Sequence, residues 1–210
     1  MKKKLIFAII LIVFVIAIIL FFVFREAEVS YESYIYNSDF EFVKYEDETG
    51  NITHTLLLSA GFKNNLKLYQ IPFRYSPYEL ENISVEKGIR DKMLASKGFY
   101  ITLDPDYDVK SVIAAVELSK ILSTADFSIF KFPIDSAFTK EREGYDTPVK
   151  DCKDATSDIK IIKLLLGSST KVYSQDNCII VEGNTYDNLI KSAESLSLTL
   201  LTVFPWLLIG

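Results

Sequence analysis

Three aspartates spaced two residues apart have the composition of a metal site or an acid–base site. Asp104, Asp106 and Asp108 match the first three ligand positions of a calcium-binding EF-hand loop. The match ends there, because the sixth position is Val109 rather than glycine and the twelfth is Ala115 rather than glutamate. Carboxylates just ahead of a helix more commonly cap its first turn. The sequence therefore favours capping, with a divalent-cation site and acid–base catalysis as the alternatives.

The chain's single histidine limits the other kinds of catalytic site. His54 falls in a predicted strand, and we interpret it as a residue on the strand surface. The sequence contains no Gly-x-Ser-x-Gly elbow of the kind that accompanies a histidine-based triad. With one histidine and two cysteines, it also cannot form a zinc site built from histidine clusters or cysteine pairs. Phosphate-loop and dinucleotide motifs are absent as well. We therefore predict no catalytic residues and no cofactor.

Cys152 and Cys178 are the only cysteines. Two cysteines outside the cytoplasm are more often bonded than free, so we predict a disulfide between them. The bond would tie a loosely patterned stretch to the strand that precedes the last helix. A catalytic thiol is disfavoured because His54 belongs to the other half of the chain.

The N-terminal region has the pattern of a membrane anchor. Leu5–Phe24 are twenty consecutive apolar residues, which as a helix would span about 30 Å, the thickness of a bilayer core. A cleaved signal peptide usually has a shorter apolar run followed by small residues, whereas charged Arg25 and Glu26 follow here. Three lysines precede the run. We therefore predict an uncleaved single-pass anchor with the N-terminus inside and residues 26–210 outside.

The outer part of the chain is acidic and rich in aromatic residues. Residues 26–210 carry 28 acidic and 19 basic side chains, a net charge of −9, and 23 aromatic residues. This charge excludes the clustered basic surface that nucleic acid requires, and the aromatic content favours a folded domain. The partners we expect are the lipid bilayer, through residues 5–24, and a protein at the cell surface.

Alternating and helical patterns divide the outer part into two halves. The first half is β-rich, with a hairpin of residues 39–45 and 52–59 around a turn at 46–51, a third strand at 66–74 and a short helix at 85–95. The second half alternates strands with a helix at 109–122. Its predicted strands cover residues 99–103, 127–132, 159–166, 171–173 and 178–182, and the least ordered stretch is 136–156.

The last helix has the clearest pattern. Apolar residues from Leu189 to Phe204 recur at the helical spacing, with serines and glutamates off that stripe. Asn184 is the predicted N-cap, and Pro205 is expected to end the helix. The apolar C-terminus Trp206–Gly210 either tucks against the sheet or presents a patch to a partner or the membrane.

These elements predict an α/β or α+β fold, with an N-terminal transmembrane helix and an extracytoplasmic mixed-sheet domain containing two main amphipathic helices. The predicted divisions are a cytoplasmic tail at 1–4, the anchor at 5–24, a stalk at 25–38, a β-rich half at 39–97 and an α/β half at 98–210. Residues 39–210 are alternatively one domain. Two N-glycosylation sequons, at Asn51 and Asn82, would face outward, and their number barely exceeds chance.

Several segments of the second half resemble segments of a known group of proteins. These are Tyr100–Asp106, Ala137–Thr139, Asp151–Thr156 and Asn177–Gly183. Over residues 98–203 the chain resembles membrane-anchored archaeal proteins of similar size that have no known activity. The resemblance implies an archaeal cell surface and a paired Cys152 and Cys178, and it transfers no catalytic residue. The chain departs from the pattern at Phe204-Pro205-Trp206, where a glycine-led ending is expected.

Together these observations predict a single-pass protein that binds or scaffolds at the cell surface. The alternative is an envelope enzyme that uses carboxylate acid–base or divalent-metal chemistry around Asp104, Asp106 and Asp108.

Overall fold

The computed structural model describes Phe14, residues 30–62 and residues 65–204. It has a mixed α/β fold with two sheets and four α-helices within those residues. Apart from Phe14, the predicted tail and anchor at residues 1–24 lie outside the described part of the chain, as does Trp206–Gly210. Among the described residues, no helix combines the length and apolar character needed to cross a membrane.

Sheet 1 is a four-stranded antiparallel meander in chain order. The predicted hairpin and third strand are present, and the Asp47 carboxylate stabilises the hairpin turn by accepting the N–H groups of Thr49 and Asn51, each at 2.9 Å. The segment assigned to a stalk contributes a strand, because Tyr34 and Tyr36 turn toward the core. The strands are β1 (Ser30–Tyr36), β2 (Phe40–Glu46), β3 (Ile52–Phe62) and β4 (Asn65–Phe73).

Sheet 2 is a six-stranded mixed sheet with the order β5-β9-β10-β8-β6-β7. Strands β10, β8, β6 and β7 run parallel to one another, and β9 pairs antiparallel with β10. Apolar residues dominate β8 and β10 because both faces of these strands are covered. The strands are β5 (Ser84–Val85), β6 (Gly98–Leu103), β7 (Ile134–Phe138), β8 (Ile159–Leu166), β9 (Lys171–Gln175) and β10 (Cys178–Gly183).

The two long helices pack beside each other on sheet 2. One connects the parallel strands β6 and β7, and the other follows β10. A Cβ atom at Gly183 would lie 2.2 Å from the Leu189 nitrogen, so glycine is needed for the final helix to approach β10 this closely. The helices are α1 (Pro77–Leu80), α2 (Ile89–Leu94), α3 (Lys110–Leu122) and α4 (Tyr186–Leu200).

Helix α4 is buried on both sides rather than on its apolar stripe alone. The stripe packs on sheet 2 as the pattern predicts, whereas the polar side meets α1 and the end of β4. Ser192 Oγ donates to the Glu182 carbonyl at 2.7 Å, and Thr199 Oγ1 donates to the Ser195 carbonyl at 2.8 Å. One hydrophobic core consequently joins both halves of the chain.

Four features of the secondary structure differ from the sequence prediction. Residues 127–132 are not a strand, because the N–H groups of Ile129 and Phe130 donate to the Ile121 carbonyl and cover the end of α3. The helix predicted at 85–95 is the end of β5 followed by α2, and it begins after Gly88 with a φ of +79°. Thr185, rather than Asn184, caps α4 by accepting the Asn188 N–H at 3.1 Å. Helix α4 ends at Leu200, well before Pro205.

The predicted disulfide between Cys152 and Cys178 is present, with Cα atoms 5.1 Å apart. Cys178 opens β10 and is fully buried, whereas Cys152 begins a 3₁₀ turn within the stretch predicted to be least ordered. The bond lies with Ile161 and Ile180 on the face of sheet 2 opposite the main core. It therefore secures a covering loop on a face that has few other buried contacts.

Breaking this disulfide should destabilise the fold measurably. Cys152→Ala with Cys178→Ala is expected to lower the free energy of unfolding by about 2–4 kcal/mol, because the unfolded chain loses a cross-link. Urea unfolding of the oxidised protein and the double variant measures the difference. Identical midpoints and slopes for the two proteins would contradict the prediction.

Candidate functional site

The three aspartates are held by local contacts rather than arranged around a cation. Lys140 Nζ lies 3.1 Å from Asp104 Oδ1 and 2.5 Å from Asp106 Oδ2. Partial burial raises the pKa of Asp104, but the Asp106 N–H and Lys140 outweigh it and leave that pKa below its ordinary value. Within the described residues, no group of three or more histidine, cysteine or acidic side chains has the arrangement of a metal site.

Asp108 has the contacts of a helix-capping residue. Its Oδ1 accepts the N–H of Lys110, the first residue of α3, at 2.9 Å. Its carbonyl accepts the Ser111 hydroxyl at 2.8 Å, and its own N–H donates to the Tyr186 hydroxyl at 2.9 Å. Asp108 thus joins the starts of α3 and α4.

Removing the Asp108 carboxylate tests this capping role. Asp108→Ala should lower the free energy of unfolding by about 1 kcal/mol, because an N–H of the first turn loses its acceptor. Calcium should leave the melting temperature of the wild-type protein unchanged. A calcium-dependent rise of several degrees would contradict capping as the sole role of these aspartates.

The remaining residues singled out by sequence lie apart from one another. His54 is buried on the inner face of sheet 1, not on the strand surface, and its Nδ1 lies 2.9 Å from the Tyr34 hydroxyl. Burial lowers the pKa of His54, so the ring is neutral at pH 7. Asn51 is in the β2–β3 turn and Asn82 follows α1, and both side chains are exposed.

A charged cavity between sheet 1 and the two long helices is the strongest candidate site. It has a volume of ≈ 540 Å³, a size typical of small-molecule sites. We call it the ionic cleft and define it by the lining residues Thr53, Arg74, Lys110, Ile113, Glu117 and Asp187. It lies where β3 begins, β4 ends, and α3 and α4 start.

Beneath the ionic cleft, a buried carboxylate locks α4 to sheet 1. Glu194 is 0% exposed, and its two oxygens accept the backbone N–H groups of Arg74 at 2.8 Å and Tyr75 at 3.1 Å. Burial and the nearby charge of Glu117 raise the pKa of Glu194 to about 8, although the two N–H donors oppose the shift. Because both oxygens are occupied and inaccessible, this carboxyl positions the backbone and cannot reach a ligand.

Glu117 connects the buried layer to the open cleft. Its Oε1 lies 3.3 Å from Arg74 Nε, and its Oε2 forms an ion pair with Lys120, one turn further along α3. The Glu117 side chain is 5% exposed, whereas that of Arg74 is 56% exposed. The Arg74 guanidinium is consequently anchored at Nε and open to solvent at its other end.

A second ion pair also lines the ionic cleft. Lys110 Nζ and Asp187 Oδ1 are 3.2 Å apart, and both side chains are more than half exposed. Exposed pairs of this kind contribute little to stability, so a ligand can replace their contacts at low cost. The site offers both cationic and anionic groups to a ligand.

Sequence reasoning did not identify the residues of this site. Glu194 and Arg74 are 120 residues apart, and neither belongs to a short motif. Glu117 carried a weak signal, because it is the only acidic residue of the helix Lys110–Leu122. No family model matches the chain, and no match was found among curated proteins or solved structures.

The buried Glu194 should make stability depend on pH. The unfolded chain ionises this group near pH 4.3 (about the ordinary glutamate value), whereas the folded protein retains the proton up to about pH 8. Between these values the folded state binds more protons than the unfolded state, so its stability should fall as the pH rises.

Glu194→Gln tests that dependence. The amide can accept only one of the two N–H groups, so we expect a loss of about 1–3 kcal/mol at pH 5 and a flatter pH profile. Glu143→Gln, in an exposed loop, is the matched control and should retain the wild-type profile. Urea unfolding between about pH 5 and 8 measures all three proteins, and an unchanged slope for Glu194→Gln would contradict the assignment.

Proposed function

We propose that this chain is a single-pass, membrane-anchored protein whose extracytoplasmic domain binds a ligand at the cell surface. The observation that carries the binding role is the ionic cleft, which is lined by both a half-exposed arginine and a half-exposed aspartate. The paired cysteines support an oxidising compartment, and the apolar run at residues 5–24 supports the anchor.

Binding agrees with the site better than catalysis does. The carboxyl with the most strongly perturbed pKa, Glu194, is enclosed and has both oxygens occupied. Lys140 forms ion pairs with both Asp104 and Asp106, and Asp108 accepts a hydrogen bond at the start of α3. The carboxylates of both sites are already engaged in ion pairs or hydrogen bonds, which favours binding over the envelope-enzyme alternative.

The proposed topology is tested by trypsin treatment of intact cells that express the full chain. The exposed loop at residues 140–146 contains Lys140 and Arg142, so added trypsin should cleave it without lysis. A cytoplasmic marker protein must stay intact in the same cells, and lysed cells show that the loop is cleavable. Cleavage only after lysis would refute the extracytoplasmic placement.

A further inference from the structure

The ionic cleft lies at the end of sheet 1 where the chain enters from the predicted anchor. The strand register aligns Ser30 with Glu46 and Glu46 with Ile52, and continuing the β3–β4 register brings Tyr75 opposite Ile52. Neighbouring strands are about 4.8 Å apart, so this row is about 14 Å long. The first residue of β1 and the ionic cleft therefore lie at the same end of the sheet, which we call this edge of sheet 1.

Only a short segment separates that edge from the apolar run. Residues 25–29 follow Phe24 and precede Ser30, and five extended residues reach at most about 18 Å. The headgroup layer on each side of a bilayer is about 5–8 Å thick. An anchor at residues 5–24 thus keeps this edge of sheet 1 near the membrane surface.

The same edge exposes side chains that suit a membrane interface. Tyr31 is 75% exposed and pairs across the strands with Tyr45, and Ile52 is exposed at the same end of the sheet on its other face. Tyrosine is enriched where the headgroups meet the hydrocarbon. Acidic residues Glu46, Asp47 and Glu48 occupy the adjoining turn and disfavour an anionic surface.

The cleft itself has a free donor group and a free acceptor. Among the described residues, the two Nη atoms of Arg74 have no hydrogen-bond partner, because only Nε contacts Glu117. Lys110 contacts Oδ1 of Asp187, which leaves Oδ2 without a donor from those residues. A guanidinium is suited to a phosphate, and a carboxylate to an ammonium group.

We propose that the ionic cleft binds a zwitterionic phosphodiester headgroup, with its phosphate on the Arg74 Nη atoms and its ammonium group on Asp187. A lipid as the source of this headgroup rests on the proposed membrane anchor. The soluble form of the same chemistry is glycerophosphoethanolamine, which needs no membrane. The two sources can therefore be tested separately.

The first experiment measures the cleft without lipid. The full chain, in micelles of an uncharged maltoside detergent, is titrated calorimetrically with glycerophosphoethanolamine, inorganic phosphate and ethanolamine. Glycerophosphoethanolamine should bind at least tenfold more tightly than either fragment. Arg74→Gln and Asp187→Asn should each weaken binding at least tenfold, because each removes one charged contact. Arg142→Gln, a paired arginine outside the cleft, is the control and should bind like wild type.

The outcomes distinguish the alternatives. Binding of inorganic phosphate as tight as that of glycerophosphoethanolamine would overturn the zwitterionic headgroup and indicate a free-phosphate site. If the folded wild-type chain does not bind glycerophosphoethanolamine, the proposed site is wrong. The same holds if the Arg74→Gln and Asp187→Asn variants have native circular dichroism and bind it as tightly as the wild type.

The second experiment tests the lipid source. The full chain is mixed with vesicles of phosphatidylethanolamine and phosphatidylcholine, or of phosphate-free galactolipid, and floated on a density gradient. Wild type should float with both, and only the phospholipid should raise its melting temperature, an increase that Arg74→Gln removes. Equal melting temperatures in both vesicles would overturn the lipid source. Failure to float would refute the anchor while leaving the calorimetric result valid.

Discussion

The arrangement of the two sheets depends on the contact between the buried Glu194 carboxyl group and two backbone N–H groups. A charged or protonated carboxyl without exposure would be strongly destabilising unless polar partners replaced water. Arg74 and Tyr75 supply those partners from the backbone just beyond β4, where the chain has left the ladder and its N–H groups need acceptors. The buried carboxyl group and the two backbone N–H groups thus supply each other's hydrogen-bond partners, and this fixes the position of sheet 1 on α4.

The same contact determines how the ionic cleft is built. Glu194 accepts the backbone N–H of Arg74, and Glu117 accepts the Nε–H of the same residue. These contacts fix the position of the arginine side chain and leave its Nη atoms exposed. Lys120 balances the charge of Glu117 from within α3. The buried carboxyl groups of this cluster support the fold rigidly, whereas the exposed guanidinium of Arg74 is accessible to a ligand.

The sequence patterns correctly predicted those elements that depend on interactions between residues close in the chain. The hairpin follows from its turn residues, and the core stripe of α4 follows from its periodicity. The strand Ser30–Tyr36 was missed because its polar residues alternate with tyrosines that only the folded helices bury. Residues 127–132 look like a strand, but tertiary contacts use their N–H groups to cover α3. Glu194 and Arg74 meet across 120 residues, a pairing that no local pattern contains.

The position of α4 at the end of the chain has a consequence for biosynthesis. Sheet 1 is complete once residue 73 has been made, yet Phe42, Leu56 and Phe73 on its inner face share a core with residues as late as Phe204. At about 5–20 residues per second, synthesis of the 131 residues from Arg74 to Phe204 takes roughly 7–26 s. Throughout that interval the nascent meander presents an uncovered apolar surface. A chain released early, before α4 emerges, keeps that surface uncovered and becomes a substrate for quality control.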